Sequence, residues 1–293
     1  MPRDSIRHTL LVATVLCVVC SVLVSGSAVG LRGKQETNKQ LDQQKNVLIA
    51  AGLFHEYPST GDQGGAGAKN THADIPQLFE SVERVLIDLE TGDAVEPAKV
   101  DPKTYDPRTA AKNPEQSVAI PADKDLAGIG RREKYAFVYV INKGETIDQV
   151  VLPIYGKGLW STLYGFLSLD ANATTVRGIT FYEHAETPGL GGEVENPRWK
   201  AQWKGKNVFD DQGQVALEVM KGAVPGNSAQ ADSQIDGLSG ATITGRGVSN
   251  LVRYWLGTDG FGPYLDKLRA EHSSQAETSD LTLGNCRRGG DHG

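Results

Sequence analysis

The sequence predicts an α+β protein, with a single N-terminal transmembrane helix followed by one mixed α+β domain. Three observations carry this. No side chain between Arg7 and Arg32 bears a fixed charge, and the run from Thr9 to Leu31 is rich in Leu, Val and Ala. Five later segments place β-branched and aromatic residues between turn signals: Tyr135 to Ile141, Gln149 to Tyr155, Leu163 to Leu169, Thr175 to Tyr182 and Val215 to Met220. Gly245 to Leu256 then reads as a helix stopped by Gly257.

The apolar run comes first in the chain and sets the compartment. It has about 23 residues, and ~20 are enough to span a bilayer as a helix. A cleaved signal peptide is the competing reading, since Gly26-Ser27-Ala28 resembles a small-residue cleavage site. The run exceeds the roughly 7–15 residues usual for a signal core, and a helix-forming stretch from Gln35 to Leu53 follows it, so a retained anchor is expected. Arg3 and Arg7 precede the run while Arg32, Lys34 and Lys39 follow it. The positive-inside count therefore does not favour a cytoplasmic N-terminus, and charge alone leaves the side of the soluble domain open.

Beyond the anchor, residues 58–74 read as a loop, Pro76 opens a short helix through Val82, and Val85 to Leu89 reads as a short strand. Residues 97–121 are polar and proline-rich and read as an extended crossing. From His272 onward the chain is polar and reads as a disordered tail. The expected divisions are an anchor over 1–34, a helical and loop-rich part over 35–134, the main domain over 135–270 and the tail over 271–293.

Composition limits the function. The chain has 293 residues, 39% hydrophobic and 23% charged, and a net charge of −6 gives no reason to expect a nucleic-acid partner. Its three cysteines are Cys17 and Cys20 in the apolar run and Cys286 in the tail. No pair can staple a domain, and no spacing reads as a zinc or iron–sulfur site. A redox role therefore needs a non-cysteine cofactor.

The segment with chemical content is Asp236-Gly237-Leu238-Ser239-Gly240-Ala241-Thr242-Ile243-Thr244. Gly240 and Ala241 let a bulky group approach the backbone, and Thr242 offers a hydroxyl just before a helix, where free N–H groups and a positive dipole end suit a phosphate. Asp236 is an acid able to hold a metal or a proton during a transfer reaction. The plainer reading is a Gly-rich turn with Thr244 as the helix N-cap. On that reading Thr244 is worth ~1 kcal/mol as a cap and no more.

This segment resembles the flavinylation motif of FMN-binding domains, an Asp followed shortly by Ser/Thr-Gly-Ala-Thr. The resemblance implies that a flavin transferase uses FAD to join FMN, through its phosphate, to Thr242, with Asp236, Ser239, Gly240 and Ala241 filling the rest of the motif. Gly156-Lys157-Gly158-Leu159-Trp160-Ser161-Thr162-Leu163-Tyr164-Gly165-Phe166 and His184-Ala185-Glu186-Thr187-Pro188-Gly189-Leu190-Gly191 resemble the C-subunit family of the sodium-translocating NADH:quinone oxidoreductase, as does the anchor with its following helix. The likeness runs from about Thr9 to about Leu268, is specific in these three segments and weak over 58–74 and 97–121.

What the family implies is a covalent FMN relaying electrons between an upstream iron–sulfur centre and a downstream flavin, inside a complex that reduces ubiquinone and pumps sodium. The soluble domain would face the periplasm of the bacterial inner membrane. Thr187, Gly189, Leu190 and Gly191 would form a tight turn approaching the flavin ring, with Trp160 and Glu186 nearby. Trp160 as plain core packing and Glu186 as a simple strand-end carboxylate are the alternatives, and His184 reads as a structural histidine. The flavin supplies the redox chemistry, so no residue needs to act as an acid or base. No Gly-x-Gly-x-x-Gly follows a strand, so NADH is not expected to bind here, and one uncharged span is not a sodium path by itself. Rival readings are the related subunit of ferredoxin:NAD (Rnf-type) complexes, a membrane-tethered flavin sensor, and an exported protein without flavin.

Overall fold

The structure, a computed structural model, describes residues 6–55, 70–144 and 146–274. The described residues form two compact units, divided between Gln44 and Lys45. The first holds most of a long apolar helix. Helix α1 runs from Ile6 to Ala50, and its apolar stretch has a mean hydropathy of 2.4, long and apolar enough to cross a membrane. The large side chains from Ile6 to Leu31 are exposed, as a lipid-facing surface requires.

The second unit is built on a five-stranded sheet: β1 (Val82–Asp88), β4 (Tyr135–Lys143), β5 (Thr146–Lys157), β6 (Thr162–Asp170) and β7 (Val176–Glu183). The strands are ordered β1-β4-β5-β6-β7 and every neighbouring pair is antiparallel. Five of the six segments expected to be strands are these, with the expected Val85–Leu89 falling at β1. Ahead of β1 lies α2 (Ile75–Phe79), which ends before Val82 because Val82 already opens the strand. The β1–β4 pairing joins residues on the two sides of residue 134.

Alternating residues give the sheet two buried faces. On one, Val138, Val150, Leu152, Ile154, Leu163 and Leu167 pack with Val248, Leu251, Val252 and Trp255 of α5 (Thr242–Leu256). On the other, Tyr139 meets Phe166 and Phe79 edge to face. There Gln149 donates through Nε2 to the carbonyl of Ala51 at 3.2 Å and accepts from Ser168. Gly178 lets the Ala50 carbonyl close on the sheet, since a Cβ at that position would lie 2.5 Å from it.

Several expectations need correction. The stretch 97–121 is not purely extended. It holds α3 (Pro107–Lys112), capped by Asp106 and opened by Pro107, and β2 (Ser117–Ala119), which pairs with β3 (Arg131–Glu133). The expected strand Val215–Met220 shrinks to β8 (Glu218–Val219), paired in parallel with β9 (Gln234–Ile235). Val215 is held by an isolated bridge to Phe209, and within β8 the Val219 N–H donates to the hydroxyl of Ser249 on α5 at 2.9 Å. Between β7 and β8 the short helix α4 (Pro197–Ala201) buries Trp199. Residues 262–274 form a last helix, so the chain is helical at His272, where a tail was expected. Most of the loop expected over 58–74 and the tail beyond 274 lie outside the described residues.

Candidate flavin site

Three segments converge at the N-terminus of α5: the β5–β6 hairpin loop over residues 158–161, the segment after β7 over residues 184–191, and the Asp236–Thr242 turn. Close packing of α5 on β5 brings them together. A Cβ on Gly247 would lie 2.4 Å from the Lys157 carbonyl oxygen, and one on Gly156 would lie 2.6 Å from the Leu251 Cβ. Only glycine permits that approach. The loop is closed by Gly158 N–H donating to the Ser161 carbonyl at 2.8 Å.

Helix α5 begins three residues before the expected Gly245. Thr242 is its first residue and is exposed. Its N-cap, Ala241, makes no side-chain hydrogen bond to the first turn, so the first-turn N–H groups lie uncapped beside Thr242. Leu238 O accepts from Ala241 N at 3.0 Å, and the turn passes through Gly240 at φ 68°. Ser239 is exposed on the same turn. Free N–H groups at a helix start are a geometry that suits a phosphate.

Thr244 is not the N-cap. It lies inside the first turn, fully buried, and its hydroxyl donates to Glu186 Oε2 at 2.6 Å. The other oxygen of Glu186, Oε1, accepts from the backbone N–H of Trp160 at 2.9 Å and of Ser161 at 3.3 Å. Burial penalises the charged carboxylate, but the hydrogen bonds from Thr244 and from the backbone of Trp160, Ser161 and Leu159 outweigh it. Glu186 therefore titrates below the usual glutamate range. A free strand-end carboxylate is excluded by these bonds. Ser161 completes the junction by accepting the Ala185 N–H at 2.7 Å.

The 187–191 turn forms as expected. Thr187 O accepts from Leu190 N at 3.1 Å and Gly192 N at 2.9 Å, with Gly189 at φ 75°. Gly191 also leaves room for the Glu186–Thr244 hydrogen bond. It is buried, and a Cβ there would lie 2.6 Å from Glu186 Oε2 and 2.7 Å from Thr244 Oγ1. His184 has a structural setting: its Nδ1 accepts from Glu186 N at 3.2 Å and its Nε2 lies 3.0 Å from Glu195 Oε1.

Asp236 holds the entry to the motif. Its Oδ1 accepts from Val224 N at 2.7 Å, its N–H donates to Gln202 at 3.0 Å, and its carbonyl accepts from the Trp199 indole at 2.8 Å. Among the described residues no group of three or more His, Cys, Asp or Glu side chains could hold a metal ion.

Trp160 is 67% exposed, which excludes the core-packing alternative. Leu159 at 42%, Leu190 at 43% and Ile243 at 55% are exposed as well, all on the three segments that Glu186 joins. Leu190 is adjacent to Gly240, where a Cβ would lie 2.9 Å from Leu190 Cδ2. Large apolar side chains left in water around an uncapped helix start fit a ligand with a flat apolar ring and a phosphate.

These features define an FMN-binding domain behind a membrane-spanning type of helix, and residues 158–257 match the family described as FMN-binding domain. The C subunit of the Na(+)-translocating NADH-quinone reductase of Yersinia pestis is 46% identical over 269 residues, covering 91% of this chain and 94% of the relative. The corresponding C subunit of Pseudomonas aeruginosa is 47% identical over 268 residues, covering 91% and 97%. The crystal structure of Shewanella oneidensis NqrC superposes with a TM-score of 0.67 at 37% identity, over 80% of this chain and 99% of that one. The chain belongs to the family of C subunits of the Na(+)-translocating NADH-quinone reductase.

Residue reasoning alone missed Thr244, Ser161, Gly158 and Gly247 as parts of the site. Gly158 was read only as one residue of the Gly156–Phe166 segment, and Gly247 only as part of the helix Gly245–Leu256.

Proposed function

We propose that this chain is the FMN-carrying, electron-relaying subunit of a sodium-pumping NADH:quinone oxidoreductase, with FMN attached covalently to Thr242. The exposed hydroxyl of Thr242 at the uncapped start of α5 is the observation that carries this reading. When bound, FMN supplies one- and two-electron redox chemistry. The chain's own residues hold and orient it. The first turn of α5 offers N–H groups to the phosphate, and Leu159, Trp160, Leu190 and Ile243 offer apolar surface to the ring. Ubiquinone reduction and sodium movement belong to the complex, and the chain alone completes neither. The full-length similarity to named C subunits favours this reading over the ferredoxin:NAD complexes, a tethered sensor or an exported protein without flavin.

Attachment requires a separate flavin transferase with FAD as donor. The Thr242 Oγ–phosphorus bond forms as the pyrophosphate P–O bond of FAD breaks, AMP leaves, and a base on the transferase takes the hydroxyl proton. No base of this chain is placed at Thr242 by the hydrogen bonds described, so self-attachment is not expected. Intact mass spectrometry of the chain produced with and without a transferase tests this. The mass of one FMN residue should appear only in the first case, and stoichiometric flavin without the enzyme contradicts the reading.

We infer that the soluble domain faces the periplasm, the side on which the family's flavin transferase works. A membrane-impermeant thiol reagent should label Cys286 in cells whose outer membrane alone is permeable. Labelling only after the inner membrane is broken would put the domain in the cytoplasm.

A further inference from the structure

We propose that Glu186 and Thr244 are positioning residues: one carboxylate ties the 158–161 loop to the first turn of α5 and so sets the geometry in which Thr242 accepts flavin. This rests on the reading that Thr242 is the acceptor, and assigns Glu186 a task other than touching the cofactor.

The hydrogen bonds account for both oxygens. Oε1 is occupied by the backbone of Trp160 and Ser161, and Oε2 by the Thr244 hydroxyl. Glu186 itself belongs to neither of the segments it joins, so its side chain links three stretches of chain at one point. Two glycines are shaped around it. A Cβ on Gly158 would lie 2.6 Å from Oε1, and a Cβ on Gly191 would lie 2.6 Å from Oε2 and 2.7 Å from the Thr244 hydroxyl. The site therefore gives up side chains at two positions to seat one carboxylate. Thr244 is two residues beyond Thr242 on the same helical turn, so pulling on its hydroxyl sets the pose of the exposed Thr242 next to it. The same link fixes Trp160, whose N–H is held while its ring stays in solvent. Glu186 thus orients the two ends of the site without contributing a free oxygen to it.

The test uses the full apo-chain in detergent, produced without transferase and then loaded with purified transferase and FAD. Thr244→Val removes the hydroxyl with little change in volume and strands a buried charged oxygen, and the initial loading rate should fall about tenfold or more, the size expected for losing a hydrogen bond to a charged group. Thr244→Ser should restore most of the rate. Amide exchange should rise over residues 158–161 and 242–246 and stay unchanged in β4 to β7. A purely global stability role would instead give a loss that tracks the melting temperature and vanishes well below it. Gly191→Ala wedges the same hydrogen bond apart and should reproduce the loss, and it decides the matter if Thr244→Val does not fold. Wild-type loading in the folded Thr244→Val chain, or equal losses in Thr244→Val and Thr244→Ser, overturns the proposal. Thr242→Ala run alongside separates the two ideas. Covalent flavin persisting there refutes the acceptor assignment, whereas flavin absent there with Thr244→Val loading normally refutes only the tie.

Discussion

Thr242→Ala is expected to yield a folded chain with no covalent flavin, seen as the complete loss of the fluorescent band on a denaturing gel. The effect should be all or none because the substitution removes the only hydroxyl that is both exposed and at the first position of α5. Stability should barely change, within about 0.5 kcal/mol, since Thr242 is exposed and alanine favours a helix start at least as well as threonine. Loss of flavin therefore reports chemistry and not unfolding. Thr242→Ser should keep the band. Two other hydroxyls lie close in sequence. Thr244 is fully buried and its hydroxyl is committed to Glu186, so it cannot meet a transferase in the folded chain. Ser239 is exposed on the preceding turn. If Thr242→Ala retained flavin, Ser239→Ala would show whether attachment had been assigned to the wrong side of Gly240.

The contrast between Thr242 and Thr244 shows where sequence reasoning reaches and where it stops. The long strands β4 to β7 could be read because a sheet buried on both faces needs β-branched and aromatic residues over runs of 8 to 12 residues between turn signals. The two-residue strands β8 and β9 could not, because two residues carry no pattern and their pairing is non-local, with Val219 also bonded to Ser249 of α5, 30 residues away. The start of α5 was misplaced for a related reason. Thr242, Ile243 and Thr244 include β-branched side chains with modest helix propensity, and Gly245 and Gly247 lower it further. Packing on β5 outweighs those local preferences. Thr244 looked like a cap because a threonine before a helix usually is one. Its true partner, Glu186, lies 58 residues away, and no local pattern announces such a pair. The motif itself could be found in the sequence, since Gly240 and Thr242 act through the backbone and position that their own neighbours create.

The packing of α5 on β5 should be as sensitive as the chemistry. Gly247→Val is expected to lower the melting temperature of the apo-chain by roughly 6–12 °C, from about 3 kcal/mol of overpacking at about 2–4 °C per kcal/mol for a domain of this size. On an exposed helix face, replacing glycine gains up to about 1 kcal/mol in propensity and in the entropy of the unfolded chain. Gly247 is buried instead, and even the first carbon of a side chain would sit 2.4 Å from the Lys157 carbonyl oxygen and 3.3 Å from Gly158 Cα. Both contacts are backbone, so neither can swing aside as a flexible side chain would. The helix must lift off the strand, and its N-terminal turn must move away from the 158–161 loop that Glu186 holds. Flavin loading should fall together with stability in this variant, unlike Thr242→Ala, where stability stays. Gly226→Ala supplies the control: no atom lies within 4 Å of a Cβ there, so a shift beyond about 0.5 kcal/mol is not expected. Calorimetry of the three chains in the same detergent decides the matter. A Gly247→Val chain that melts with the wild type would mean that the close approach of α5 to β5 is not what holds the flavin site together.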